Sequence, residues 1–110
     1  MKIYISIPIS GKDLAIQQAL AAQIAERIKA LGHEPVNPFD TPLAPPEWSE
    51  QKKYAYYMGE DIKRLLTCDA VYFCKFWPSS KGCTAEMHIA QVYGIKQYYC
   101  TPIDQIPKAE

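Results

Sequence analysis

A chain of 110 residues and 12.5 kDa has the size of one domain, able to bury roughly 65% of its unfolded surface. Apolar residues make up 48% and charged residues 22%, which excludes disordered and collagen-like architectures. Twelve basic residues balance twelve acidic ones, so no basic excess points to nucleic acid or a membrane surface.

Residues 2–7, KIYISI, alternate and are rich in β-branched and aromatic types, the signature of a strand. The segment MKIYISIPIS therefore reads as a strand and not as a signal peptide. No apolar run reaches the ~18 residues of a membrane span, and the expected address is cytoplasmic. After the punctuation Pro8-Ile9-Ser10-Gly11, a helical period begins at Asp13. Its expected apolar stripe is Ile16, Leu20, Ile24, Ile28 and Leu31, closed by Gly32.

His33–Asn37 is a short second strand. Residues 38–47, PFDTPLAPPE, carry four of the nine prolines and read as an irregular loop, long enough for a lid or a partner contact. A second helix is expected from about Trp48 to Leu66, with Tyr54, Tyr57, Met58, Ile62 and Leu65 as its stripe. The run from Asp69 to Cys74 is nearly all apolar, as in a strand buried on both faces. Residues 77–82 form a turn, Cys83–Tyr93 a third helix closed by Gly94, and Ile95–Cys100 the last strand. Residues 101–110 read as a tail.

Strands alternating with helices at these lengths imply right-handed βαβ units on a parallel sheet. The economical solution is α/β: one doubly wound, flavodoxin/Rossmann-like domain over residues 1–110. Its four-stranded parallel sheet would have the order 2-1-3-4, with helices on both faces. Ligands of such sheets bind beyond the carboxyl ends of the strands, at the switch between strands 1 and 3. That rule selects the loops 8–12 and 76–86.

Neither loop carries a dinucleotide or P-loop fingerprint. Ser10, Gly11 and Lys12 nonetheless oppose Ser79, Ser80, Lys81 and Gly82, a set of hydroxyls, backbone amides and a helix start suited to an anion. Serines also cap helices, and Ser80 is an N-cap on either reading. Glu86 is expected in the first turn of the third helix, where the dipole would keep it ionised as a carboxylate nucleophile suited to the task. Acidic residues favour first turns for the dipole alone, so this reading competes with a plain one. Asp61 stands near the end of the second helix beside Glu60, Lys63 and Arg64, where an ordinary solvated charge is the alternative. Asp69 is expected to cap or end structure, and Tyr4 to be a buried ring whose hydroxyl needs a partner.

Of the cysteines, Cys68, Cys74, Cys83 and Cys100, none has zinc-ligand spacing, and buried reduced thiols are expected. Cys83 alone falls near a helix start, where a thiolate is favoured. No metal or organic cofactor is suggested.

These pieces in this order resemble the nucleoside 2-deoxyribosyltransferase-like family, and in particular its short DUF4406-type branch. The residues that carry the resemblance are Lys2–Ser6 with Pro8-Ile9-Ser10-Gly11, then Asp61-Ile62, then Cys68-Asp69-Ala70-Val71. Ser80-Lys81-Gly82-Cys83 with Glu86, Ala90 and Gly94 completes the set. The resemblance implies that Glu86 attacks the anomeric carbon, that Asp61 protonates or holds the leaving base, and that Tyr4 orients the glutamate. It further implies that Ser10, Lys12, Ser79, Ser80 or Lys81 hold a 5'-phosphate, and that the chain forms a homodimer or higher homo-oligomer. Three departures stand out. Ile7 replaces a glycine and is expected to narrow the approach to the sugar. A serine or lysine replaces the carboxylate that precedes the glutamate in many transferases. The C-terminal asparagine of the transferases has no match. The expected function is thus N-glycosidic cleavage of a (deoxy)nucleoside or nucleoside 5'-monophosphate, as a hydrolase before a transferase. The alternative is a catalytically silent nucleotide-binding or sensing domain of the same fold.

Overall fold

The structure, a computed structural model, describes residues 1–99 and 102–110. Among the described residues, four strands and three α-helices alternate. They are β1 (Lys2–Ser6), α1 (Leu14–Ala30), β2 (Glu34–Val36), α2 (Glu50–Leu65), β3 (Ala70–Phe73), α3 (Lys81–Val92) and β4 (Lys96–Tyr99). All pairings are parallel and the sheet order is β2-β1-β3-β4, the order expected from sequence. Cys100 and Thr101, assigned from sequence to the last strand and the tail, lie outside the described residues.

Alternation along β1 divides the interior. Ile3, Ile5 and Ile7 enter a core with Ala21, Ile24 and Ile28 of α1. Tyr4 faces the other way, into a second core with Val71, Phe73, Leu65 of α2 and Cys83 and Ala90 of α3. Helices therefore cover both faces, α1 on one and α2 with α3 on the other. Ile7 packs into the α1-side core.

Two expectations about packing are corrected. The buried stripe of α1 is Ala21, Ile24 and Ile28, whereas Ile16 is 63% exposed and Leu20 is exposed too. The cause is length: seventeen helical residues rise ~25 Å, but the five residues of β1 span only ~17 Å. The first turns of α1 overhang the strand ends. The stretch read as a tail is not a tail. Ile103 and Ile106 are buried in the α1-side core, and the Ala109 N–H donates to the Leu31 carbonyl at 2.8 Å.

The proline-rich loop contains one 3-10 turn, Pro38–Asp40, whose cap is the Asn37 side chain accepting from the Phe39 N–H. A second such turn, Trp77–Ser79, leads into α3, which begins two residues earlier than its period suggests. Cys68, Cys74 and Cys83 are buried. Asp69 ends structure as expected, its Oδ2 accepting from the Lys2 N–H at 2.8 Å.

Candidate functional site

The carboxyl ends of β1 and β3 open onto two loops, as the switch-point rule requires. A cleft of about 390 Å3 lies there, lined by Ser10, Tyr54, Ser79, Ser80, Lys81 and Gly82. Five of the seven loop residues singled out from sequence meet in it. Gly11 and Lys12 do not line it. Gly11 makes the turn at φ +75°, and the Lys12 ammonium sits 5.4 Å from the Phe76 ring centroid. Phe76 itself adopts a left-handed φ of 68°, costly for a bulky residue, and stays 60% exposed. Lys75 approaches the same ring at 5.2 Å.

Ser80 caps α3 as expected, its Oγ accepting from the Cys83 N–H at 3.2 Å. The inner face of α3 then presents Cys83, Glu86 and Ala90, spaced three and four apart. Because α3 starts at Lys81, Glu86 lies in the second turn and not the first. It is only 4% exposed. The dipole acts within the first turn, and burial decides instead: the Glu86 carboxyl is pushed up to about 7, helped by the Asp61 charge. The expectation of a carboxylate held firmly ionised is therefore overturned by desolvation.

Asp61 sits on the inner face of α2, one turn before Leu65. At 9% exposure it is a buried group, not the solvated charge of the plain reading. Burial pushes it up to about 6, although the Arg64 guanidinium and the Tyr4 hydroxyl pull the other way. Tyr4, 1% exposed at the middle of β1, interacts with both carboxyls, and burial beside them raises its hydroxyl well above the usual range. A neutral phenol has one proton to donate and lone pairs to accept with. It can donate to one ionised carboxylate while accepting from the other when that one is protonated. Two coupled acids around one hydroxyl hold a single proton between about pH 6 and 7.

Ser6 is a member of this cluster to which sequence reasoning gave no role. Fully buried at the end of β1, it donates from Oγ to Glu86 Oε1 at 2.8 Å. The signal was present: a lone hydroxyl among β-branched residues, on the same strand face as Tyr4. Glu86 Oε2 is buried and lacks a partner of standard hydrogen-bond geometry among the described residues, although Tyr4 acts on the same carboxyl. The Cys83 thiol interacts with both Ser6 and Ser80, and so links the buried carboxyls to the cleft wall. Burial pushes that thiol up, against the thiolate its position suggested. Tyr4, Asp61 and Glu86 thus form one cluster, and the serine and lysine loops form the adjoining cleft. Among the described residues no group of three His, Cys, Asp or Glu side chains could hold a metal ion. No helix there is long and apolar enough to cross a membrane.

The model of a family described as a domain of unknown function, DUF4406, matches residues 1–99. Among solved structures, the chain is similar to the 2-deoxyribosyltransferase of the psychrotolerant bacterium Bacillus psychrosaccharolyticus. The TM-score is 0.69 at 16% identity, over 90% of this chain and 71% of that one. A conserved protein from Enterococcus faecalis V583 gives 0.63 at 22% identity, over 89% of this chain and 61% of that one. Both likenesses are of fold. No curated protein matches the chain in sequence.

Proposed function

The chain belongs to the DUF4406 family, and on that premise we propose that it cleaves the N-glycosidic bond of a (deoxy)nucleoside or nucleoside 5'-monophosphate. The observation that carries the reading is the buried carboxyl pair, Glu86 and Asp61, both interacting with the buried Tyr4 hydroxyl at the switch point, where burial pushes them up to about 7 and about 6. Perturbed acids of this kind are what acid–base and covalent chemistry needs near neutral pH. The 2-deoxyribosyltransferase neighbour shares the fold and supports a nucleoside as substrate.

The reactive form is the minor one of the singly protonated pair, with the proton on Asp61 and not on Glu86; ionised Glu86 then attacks the anomeric carbon and forms a glycosyl ester. The bond to the base nitrogen breaks with its electron pair on the base, and protonated Asp61 supplies the proton. Water then attacks the same carbon, gives a proton back to Asp61, and releases Glu86. Ser6 and Tyr4 aim the nucleophile, while Ser10, Ser79, Ser80 and Lys81 receive the phosphate of a monophosphate substrate. Water as acceptor, ahead of a second base, is supported by the serine or lysine that stands where many transferases carry a further carboxylate.

A second reading, a silent nucleotide-binding domain, draws on the same geometry: neither Glu86 nor Asp61 lines the open cleft. One experiment separates them. Nucleosides and 5'-monophosphates, ribo and deoxy, are incubated with the protein with and without a second base, and free base is read by chromatography. Free base that disappears in Glu86→Gln is expected. A new nucleoside would make the enzyme a transferase, and silence with nucleotide-dependent thermal stabilisation would favour the binding domain. Self-association as a homodimer or larger assembly is part of the same proposal, and light scattering on the eluted protein tests it.

A further inference from the structure

The proposed chemistry needs a path that the resting structure does not have. The cleft is open at Ser10, Tyr54 and residues 79–82, yet Glu86 is 4% exposed and its Oε2 is sealed off. Asp61 is buried as well, and neither acid lines the cleft. A sugar held in the cleft reaches the acids only if something between them moves.

The two helices on this face show what lies between. Each leads from one strand of an all-parallel sheet to another, so α2 and α3 both descend from the cleft. On α2 the order of descent is Tyr54 at the cleft, Met58 about 6 Å below it and Asp61 about 4.5 Å further, all on one face. On α3 it is Gly82 at the cleft and Glu86 about 6 Å below. Met58 bridges the seam at the level between cleft and acids. Its Sδ lies 3.4 Å from the point that a Cβ on Gly82 would occupy.

Three properties suit Met58 to moving. It is half-buried and belongs to neither core among the described residues, unlike Met87, which packs against the α2–α3 side. Its side chain is unbranched, with three rotatable bonds. The residue it rests on is a glycine, which offers no side chain to lock it.

We propose that Met58 is the gate between the cleft and the acid pair: its thioether closes the α2–α3 seam at rest and swings aside to let the sugar down to Glu86. What passes rests on the glycosidic reading above; the gate itself rests on the two helices. Closed, it keeps water off the acids, and so lets the pair stay dehydrated beside an open cleft.

Cys83 supplies the readout. It follows Gly82 on α3, is 1% exposed, and its thiol interacts with Ser6 and Ser80 beside the passage. Alkylation by iodoacetamide is followed at each cysteine by peptide mass spectrometry. Cys68 and Cys74, buried elsewhere, report any loosening of the whole fold. In the wild type, Cys83 is expected to react through local opening, at a rate that low urea leaves nearly unchanged, while Cys74 follows global unfolding. Met58→Ala should speed Cys83 about tenfold with Cys68 and Cys74 unaffected, and Met58→Leu, of similar bulk, should stay near wild type. An unchanged Cys83 in Met58→Ala, or all three cysteines speeding together, overturns the gate. So does a Met58→Leu variant as fast as Met58→Ala, or a wild-type Cys83 that reacts only as urea unfolds the chain. Alkylation involves no glycosidic bond. Base release with Cys83 indifferent to Met58 therefore sinks this inference alone, and a Cys83 that answers to Met58 without any base release sinks the glycosidic reading alone.

Discussion

The two faces of the sheet are built from the same strands to opposite ends. On the α1 side, β1 contributes Ile3, Ile5 and Ile7 to a core of aliphatic side chains with Tyr72 and Cys74 among them. One residue along, the other face receives Tyr4 and Ser6, which meet Asp61, Cys83 and Glu86. Both faces exclude water equally well. On the first, exclusion stabilises the fold; on the second, it stores two acids far from their ordinary ionisation. The difference teaches that dehydration is one resource, used here for stability on one side and, on the proposed reading, for reactivity on the other.

Substitutions that treat the faces alike should reveal this division. The largest effect is expected for Glu86→Gln, which should lower base release by at least roughly 10³-fold while leaving the protein folded. Chromatographic assay beside a melting curve checks it; retained turnover would end the nucleophile assignment. Ile5→Ala on the opposite face should do the reverse, costing about 3 kcal/mol of stability with the chemistry spared in whatever remains folded. Chemical denaturation measures that cost.

A third contrast lies in pH. Folded Glu86 keeps its proton up to about 7, whereas unfolded chains release it near 4.5. Between these values the unfolded state binds fewer protons, so stability falls as pH rises. Glu86→Gln should therefore be more stable than the wild type at pH 8, by up to roughly 3 kcal/mol, with the advantage gone at pH 4. Denaturation at the two pH values decides it, and an advantage that persists at pH 4 would rule out ionisation as its source. The rate of base release should follow a bell centred between about 6 and 7, the interval in which the pair holds one proton. A plateau extending to pH 9 would remove Asp61 as the acid. The smallest effect is Ser80→Ala, about 1 kcal/mol from the lost cap of α3, seen as a modest drop in melting temperature.

Strand order was legible because β-branched alternation and helical periods each have a local cause. The cleft was half legible for the same reason: Ser10 and Ser79–Gly82 fall in loops that the switch-point rule selects. Burial of the acids was not read, yet Asp61 lies four residues from both Tyr57 and Leu65, on the face that packs inward. A charge on an apolar face reads as solvated until the partner that covers it is known, here Tyr4 from 57 residues away in the chain. Ile103 and Ile106 escaped notice because two isolated residues show no period. Ile16 and Leu20 misled because a true helical period continues past the strand ends, where no sheet remains to cover it.

The central place of β1 has a consequence for timing. Its inner edge pairs only with β3, so during synthesis the first strand of the sheet waits for residues 70–73 before that edge is closed. The Ser6–Glu86 hydrogen bond spans 80 residues and must wait longer still. A nascent chain can thus carry α1, β2 and α2 while the acid pair has no assembled surroundings. Of the two buried carboxyls, the one pushed up further, Glu86, is among the last groups to be fitted, when the shell that dehydrates it can close in the same event.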